Sequence, residues 1–232
     1  EPRRMFKRYI LGNPAFIARA AAQATRVRRT TAAAMPLSKR ILDVTVASAA
    51  LLALSPIFAG AALAVKITSH GPVFFRQERV GYRGEKFSMI KFRSMYQDAE
   101  ARRAALLQDS ERDGVCFKMR ADPRITRVGR FIRRYSVDEL PQLLNVLKGD
   151  MSLVGPRPAL PSEVALYPTG ALRRLNAIPG ITGIWQVSGR AEIGFARMVA
   201  MDVAYLRTKS LTLDLMLLGL TARAVFSGRG AY

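Results

Sequence analysis

The longest apolar stretch of the chain is VTVASAALLALSPIFAGAALAV, residues 44–65, twenty-two positions without a charged side chain. At 1.5 Å per residue, a straight helix of this length is about 33 Å long, which is enough to cross a bilayer core. Pro56 removes one helical hydrogen bond and pushes Ser55 away from helical geometry, so the pattern predicts a kink at Ser55-Pro56. The segment is therefore either a bent transmembrane helix or a re-entrant hairpin with two short limbs.

Charges on both sides of this segment leave its orientation open. The flanking basic residues are Arg26, Arg28, Arg29, Lys39 and Arg40 before it and Lys66, Arg76, Arg79 and Arg83 after it. A spanning helix would leave one basic flank outside, whereas a hairpin keeps both flanks on the cytoplasmic side. In a hairpin, Ser55 can satisfy a backbone group that the proline leaves unpaired. On these residues alone a kinked transmembrane helix is favoured, because such helices tolerate proline.

The rest of the chain has the pattern of a mostly helical α/β body. FFRQERV and FSMIKFRSM, on either side of GYRGE, predict two short strands around a glycine-rich turn. Helical spacing predicts helices over 96–108, 124–134, 136–150, 192–208 and 211–226. The last of these is apolar but carries Asp214 and is short for a span, so we expect it to pack or to lie at the membrane interface.

Charge changes this picture by implying acidic partners. The chain has 37 Lys and Arg against 17 Asp and Glu, a formal net charge of +20, and residues 1–38 form a basic, alanine-rich arm. Anionic lipid headgroups, a phosphorylated substrate and nucleic acid all suit such a field. Cys116 is the only cysteine and there is one histidine, which excludes an internal disulfide and the usual zinc sites. Any metal should be bound by oxygen, as Mg²⁺ or Mn²⁺ is.

The segment SVDELPQLLNVLKGD, residues 136–150, carries the sharpest chemical signal. Its leucines predict an amphipathic helix that ends near Gly149. Pro141 fits only the first turn, which places the N-cap near Asp138 and puts Asp138-Glu139 at the positive end of the helix, where both carboxylates should stay ionised. Capping alone explains most such pairs, and a capping box that starts at Ser136 is an alternative placement.

Two arginine-bearing segments surround this helix in sequence. Five arginines of 124–134, among them Arg133, predict a cationic face, with Val128, Phe131 and Ile132 largely on another. A solvated or lipid-facing stripe is favoured there over five substrate contacts. In SLVGPRPALP, flanking prolines hold Arg157 in a stiff loop that suits bidentate contact with phosphate, although a solvated arginine is the commoner outcome.

Several blocks together resemble a known family. They are KRILDV, GPVFFRQERVGYRGEKFSMIKFRSM, DPRITRVGRFIRRYSVDELPQLLNVLKGDMSLVGPRP, PGITGIWQVSGR and the final GRGAY. In this order they resemble the bacterial sugar transferases that act on polyprenyl phosphate, the monotopic phosphoglycosyl transferases, over about residues 38–232. The resemblance implies a re-entrant hairpin broken at Ser55-Pro56 over 39–69 and a catalytic domain over 70–232 on the cytoplasmic face of the bacterial inner membrane.

The resemblance also assigns roles to site residues. It implies transfer of a sugar 1-phosphate from a UDP-sugar to undecaprenyl phosphate, with Asp138 as the nucleophile that holds the phosphosugar and Glu139 as a ligand of Mg²⁺. Arg133 matches an arginine near the active site, and Arg157 matches one associated with the nucleotide or its phosphates. Lys39 and Arg40 fit lipid-phosphate positions at the mouth of the hairpin, although basic residues there are equally ordinary membrane anchors.

The choice of sugar and of partners is less determined. The GRGAY ending and the VSGR block resemble members that start exopolysaccharide repeats with a hexose 1-phosphate, so we expect glucose or galactose, with an N-acetylated sugar as the alternative. Anionic lipids are expected partners and nucleic acid is not, because no nucleic-acid module is recognised. A homo-oligomer and a non-enzymatic membrane scaffold remain open alternatives.

Overall fold

A computed structural model of the chain describes residues 35–106, 119, 122–189 and 193–227. The predicted basic arm lies outside these residues except for its last four positions, and so do Cys116 and the GRGAY ending. The described chain is mostly helical, with two sheets of two strands each. The predicted α/β class, mostly helical with a small β-hairpin, is confirmed.

The long apolar segment forms two helices that meet at a sharp bend. Helix α1 spans Leu37–Ala53 and helix α2 spans Ser55–Thr68, and their axes differ by 64°. Pro56 lies in the first turn of α2, where its missing N–H is harmless, and the Ser55 hydroxyl donates to the carbonyl of Leu52 at 2.8 Å. That carbonyl is the one that residue 56 would bond in a continuous helix. The predicted kink and the predicted role of Ser55 are both confirmed.

Neither limb alone has the length and apolar character needed to cross a bilayer. Among the described helices no single one does, and only α1 and α2 taken together reach that size. Their side chains leave a broad apolar surface uncovered by protein. Its largest exposed members are Leu37, Ile41, Leu52, Ile57, Leu63 and Ile67.

The predicted hairpin follows α2. Strand β1, Phe74–Val80, pairs antiparallel with β2, Lys86–Phe92, and the turn between them is a 3-10 turn at Tyr82–Gly84. On one face of β2, Phe92 packs against Phe58 of α2, with ring centroids 4.7 Å apart. On the other face, Met89 joins the core formed by α5 (Gln142–Lys148). The hairpin thus joins α2 to the core around α5.

The remaining elements complete the body. The other helices are α3 Ala99–Leu106, α4 Arg127–Arg134, α6 Pro161–Ala165, α7 Ile184–Ser188, α8 Phe195–Thr208 and α9 Leu211–Ser227. Strands β3, Ser152–Val154, and β4, Gly180–Thr182, form a parallel pair. Further 3-10 turns occur at Val137–Glu139 and Thr169–Asn176. The main core lies between α1, α5, β3, α8 and α9.

The cationic face of α4 differs from its prediction. Ile132 is buried against α2, whereas Phe131 is 64% exposed and lies among arginines. Helical spacing explains this, because residue 131 follows residue 127 by four positions and precedes residue 134 by three. Arg124 precedes the helix and forms a buried ion pair with Asp122 at 2.7 Å. The exposed face of α4 therefore combines one aromatic ring with its arginines.

Candidate functional site

Asp138 and Glu139 lie in a tight turn before α5. The N–H of Glu139 donates to Ser136 at 3.1 Å and that of Leu140 to Val137 at 3.2 Å, so this turn has 3-10 bonding. Pro141 has no N–H to give to Val137, and the α-helical pattern starts only at Gln142. The expectation that Asp138 is the N-cap of one continuous helix is therefore wrong. The predicted end at Gly149 is confirmed, with φ of 91° at that residue.

The Asp138 carboxyl is almost fully buried, with 8% of the residue exposed. Burial raises its pKa to about 6, and the charge of Glu139 adds to this rise. The positive charges of Lys91 and Arg133 act in the opposite direction without offsetting the burial. The expectation that both carboxylates stay fully ionised is thus corrected for Asp138, because desolvation outweighs the helix terminus.

Glu139 has the opposite tendency. Burial acts to raise its pKa, but nearby cations overcome that effect and hold the pKa below its usual value. The strongest of them is Lys91, whose Nζ lies 2.7 Å from the Glu139 Oε1. The two adjacent carboxyl groups therefore have their pKa values pushed apart, which is typical of carboxylates with different chemical roles.

Two predicted arginines lie around this pair. Arg133, in the last turn of α4, lowers the pKa of both carboxyl groups, and Arg157 lowers that of Glu139. The structure thus brings Arg133 and Arg157 to the same electrostatic field as Asp138 and Glu139. Such a cluster of cations suits phosphate groups with several negative oxygens.

The loop that carries Arg157 is held by backbone packing. Gly180 donates to the carbonyl of Pro156 at 2.9 Å, and a Cβ added at Gly180 would stand 2.0 Å from the Gly155 nitrogen. Only glycine allows this approach. Buried Arg174 donates to the carbonyl of Arg157 at 3.1 Å and pairs with Asp202 at 2.5 Å. The loop is therefore fixed from two sides, which reduces the cost of ordering the arginine on a ligand.

Lys91 and the Arg174–Asp202 pair were not predicted as site residues. Lys91 interrupts the apolar residues Met89, Ile90 and Phe92 of β2, and this placement was the available signal. Arg174 and Asp202 have no comparable signal, because they are 28 positions apart in the sequence and come together only through the packing of α8.

Lys39 and Arg40 lie elsewhere, on the contact between α1 and the body. The Lys39 Nζ is 2.5 Å from the Asp214 Oδ2 and 3.2 Å from the Val154 carbonyl. Arg40 donates to the last carbonyls of α5, those of Val146 and Leu147, at 2.6 and 2.8 Å. Arg40 thus lies at the C-terminal end of α5, about 10 Å along that helix from the end nearer to Asp138. Both side chains serve the fold here, and their contact with lipid phosphate stays a prediction.

The donor set at the turn fits one hard divalent cation. In the described part of the chain no group of three or more His, Cys, Asp or Glu side chains could hold a metal ion. Two carboxylates remain, and Mg²⁺ is often held by one or two carboxylates together with substrate phosphates and water. Glu139 is the more available of the two because 36% of its side chain is exposed.

Comparison with known proteins shows the family of the chain. Residues 34–228 match the family described as bacterial sugar transferase. The chain belongs to the bacterial sugar transferase family. It is 39% identical to the exopolysaccharide production protein ExoY of Sinorhizobium fredii, over 92% of this chain and 98% of that protein. It is also 46% identical to the galactosyl transferase CpsE of Streptococcus agalactiae, over 84% of this chain and 43% of that one.

A further bacterial sugar transferase in this group is named for its acceptor. The undecaprenyl-phosphate glucose phosphotransferase of Komagataeibacter xylinus is 42% identical over 84% of this chain and 37% of its own length. The chain therefore spans less than half of these longer relatives, while it covers nearly the whole of the ExoY protein.

Proposed function

We propose that this chain transfers a sugar 1-phosphate from a UDP-sugar to undecaprenyl phosphate and releases UMP. The observation that carries the proposal is the buried Asp138 beside Glu139, surrounded by the positive charges of Lys91, Arg133 and Arg157. Family membership and the acceptors printed in the names of relatives support it. The name of the ExoY relative supports a role in exopolysaccharide production, and the first membrane step of that synthesis is our proposal.

In the first step, an Asp138 carboxylate oxygen attacks the sugar-bearing phosphorus. The bond from that phosphorus to the bridging oxygen breaks, and UMP leaves with the electron pair. Asp138 must be ionised to attack, and its raised pKa gives a more basic carboxylate than an exposed aspartate. The raised pKa and the burial of Asp138 therefore fit a nucleophilic carboxylate.

In the second step, an oxygen of undecaprenyl phosphate attacks the same phosphorus and the bond to Asp138 breaks. The free carboxylate is restored and the sugar is left on a lipid diphosphate. Both steps bring anions together, so cations must offset the charge. Lys91, Arg133 and Arg157 are the candidates, and the fixed backbone of the Arg157 loop allows its guanidinium to be held in one place.

Glu139 is our proposed ligand for Mg²⁺, with Mn²⁺ as the alternative. When bound, the ion would neutralise charge on the diphosphate of the donor. The Lys91 Nζ forms an ion pair with the Glu139 Oε1, which holds the carboxylate in place. Lys91 and the ion would then share this carboxylate. This arrangement explains how a pair of adjacent acids can be stable before substrate binds.

The bent pair α1–α2 supports attachment to the membrane from one side. The bend of 64° and the exposed apolar side chains of both limbs suit a re-entrant hairpin with its apex at Ser55-Pro56. Phe131 on the cationic face of α4 suits an anionic lipid interface. We propose that the catalytic domain lies at the cytoplasmic face of the inner membrane, with anionic lipids as partners.

The proposed donor sugar is a hexose, glucose or galactose. Names of relatives include a glucose phosphotransferase and a galactose phosphotransferase, which supports this class without choosing within it. An N-acetylated hexose is the alternative, and the same assay separates the two.

The test is UMP release from a panel of UDP-sugars with undecaprenyl phosphate and Mg²⁺. UDP-glucose or UDP-galactose should give turnover, and Asp138→Asn should reduce it at least 10³-fold, because the amide cannot act as a nucleophile. Asp98→Asn, the same substitution at an exposed aspartate, is the matched control and should turn over normally. Undiminished turnover by Asp138→Asn would overturn the proposal.

A further inference from the structure

Arg93 is a buried cation that has no acidic partner among the described residues. Only 6% of the residue is exposed, and its Nε and Nη1 have no hydrogen-bond partner among the described residues. Burial lowers the pKa of its guanidinium, and no carboxylate in the described part of the chain opposes that effect. A buried charge without a counterion is costly, so such a side chain is usually paired when the protein is at work.

The remaining donor group of Arg93 fixes the side chain in place. Its Nη2 donates to the Ser69 carbonyl at 2.6 Å and to the Ser69 hydroxyl at 2.8 Å, just beyond the end of α2. A Cβ at Gly71 would lie 2.4 Å from the Arg93 Nη1, so only glycine leaves room for the guanidinium there. Lys66, which donates to the Gly71 carbonyl at 3.4 Å, adds a second positive charge on the other side of that residue.

The position of Arg93 links the apolar limb to the carboxylate turn. Arg93 follows β2 directly, and its N–H donates to Val73 at 2.9 Å, which continues the strand pairing by one residue. Side chains alternate along a strand, so Arg93 shares a face with Lys91, about 7 Å away between Cα atoms. On one side of Arg93, Lys91 contacts Glu139. On the other side, Ser69 lies two positions after Ile67, a residue of α2 that is 74% exposed.

We propose that Arg93, with Ser69 and Lys66, binds the phosphate monoester of the acceptor lipid. The lipid chain would lie on the exposed apolar surface of α2, and its phosphate would meet the free N–H groups of Arg93 on the same strand face as Lys91. The inference rests on the proposed function for the identity of the acceptor, but the anion site itself rests on the buried Nε and Nη1 of Arg93, which have no hydrogen-bond partner among the described residues.

The experiment measures binding of undecaprenyl phosphate to the full chain in detergent micelles. Arg93→Met removes the positive charge, and Arg93→Lys keeps the charge but loses the planar guanidinium with its several N–H donors. Arg83→Met is the matched control, because Arg83 is an exposed arginine in the turn at the opposite end of the same hairpin. We expect binding at least tenfold weaker for Arg93→Met, partial recovery for Arg93→Lys, and no change for Arg83→Met.

Competing ligands identify what the site takes. Undecaprenol, which lacks the phosphate, should not compete, and phosphatidylglycerol, whose phosphate is a diester, should compete at least tenfold less well than undecaprenyl phosphate. Equal competition by phosphatidylglycerol would overturn the assignment to the acceptor in favour of bulk headgroups. Unchanged binding of undecaprenyl phosphate by folded Arg93→Lys and Arg93→Met would overturn the site itself.

If Arg93→Met fails to fold, Arg93→Lys carries the comparison, with its thermal transition as the check of folding. Isotope exchange between UMP and UDP-sugar, measured on the unaltered chain without any acceptor, tests the proposed function separately. Absence of exchange together with Arg93-dependent binding would leave the anion site in place and remove the proposed two-step reaction. Exchange without Arg93-dependent binding would support the two-step reaction and remove the proposed anion site.

Discussion

The carboxyl groups of Asp138 and Glu139 are neighbours in the chain but differ in what ionisation does to the fold. Burial raises the pKa of Asp138 to about 6, so the folded state resists losing that proton. The cations around Glu139, Lys91 first among them, hold its pKa below the usual value against the effect of burial. Ionisation therefore destabilises the fold at Asp138 and stabilises it at Glu139.

Replacing Asp138 by its neutral isostere should stabilise the protein at neutral pH. The shift from 3.8 to about 6 corresponds to about 3 kcal/mol at most. Asp138→Asn should gain stability over the unaltered chain as pH rises from about 4 to about 6, with the full gain above that range. Urea unfolding in micelles at several pH values measures this. A destabilised Asp138→Asn at pH 8 would contradict the account.

Glu139→Gln provides the comparison of opposite sign. The pKa of Glu139 is lowered in the folded state, so its ionised form stabilises the fold above the usual glutamate pKa, and this contribution is lost as pH falls. Glu139→Gln should therefore be less stable than the unaltered chain at neutral pH, and the difference should vanish in acid. The same urea series reports it.

Lys91 should set the ionisation of both carboxyl groups. In the metal-free protein, Lys91→Met removes the largest influence that lowers the Asp138 pKa, so that pKa should rise further above 6. Titration of the carboxyl ¹³C signals by NMR measures the change. Lys86→Met, in the same strand but paired with Glu78 on the surface, should leave the Asp138 titration unaltered. An unmoved Asp138 pKa in Lys91→Met would contradict the proposed pairing.

At the scale of elements, the bend between α1 and α2 follows from two residues. Pro56 leaves the Leu52 carbonyl without its helical partner, and the Ser55 hydroxyl takes that place at 2.8 Å. The two limbs can therefore turn at the apex without an unsatisfied carbonyl in an apolar environment. This feature was readable from the sequence, because proline acts locally on the backbone.

Thiol labelling tests whether the limbs return to one side. With Cys116 replaced by serine, single cysteines at Ser38 and at His70, both exposed, should be protected from an impermeant maleimide in intact cells and react together after permeabilisation. Pro56→Leu should favour a straighter helix and increase labelling from outside at one of the two positions. Labelling from opposite faces in the unaltered chain would establish a spanning helix instead.

Sequence patterns predicted correctly those helices, strands and helix ends that are determined by residues close together in the chain. The hairpin, the end of α5 at Gly149 and the last two helices follow from alternation, glycine and helical spacing. The 3-10 turn at Asp138 was missed because its cause is the combination of Pro141 with burial of the carboxyl by residues distant in sequence. Lys91 was missed as a site residue for the same reason, since its partner is 48 positions away.

At the scale of the whole molecule, α1 is attached to the body by buried polar contacts. Lys39 pairs with Asp214 of α9, whose other carboxylate oxygen accepts from the Tyr205 hydroxyl at 2.8 Å. Buried Asp43 accepts from the Leu153 N–H at 3.1 Å. Helix α1 and the rest of the described chain therefore form one packed unit, which fixes the position of α1 relative to the body.

Breaking this attachment from one side should be costly. Lys39→Met leaves the Asp214 carboxylate buried without its cation, which costs about 3–5 kcal/mol in comparable buried pairs. The double variant Lys39→Met, Asp214→Leu should recover much of that loss, and Lys148→Met, at an exposed lysine, should cost little. Thermal unfolding measures all three. Normal stability of Lys39→Met with weaker acceptor binding would favour a lipid-phosphate role for Lys39 instead.

In the proposed reaction, Asp138 carries the phosphosugar between two displacements. Intact-protein mass spectrometry after mixing the chain with Mg²⁺ and the active UDP-sugar, without acceptor, tests it most directly. We expect a mass gain of one sugar phosphate, localised to Asp138 by fragmentation, absent in Asp138→Asn and removed by undecaprenyl phosphate. A chain that turns over but never gains this mass, even at the shortest times and in rapid acid quench, would contradict the claim.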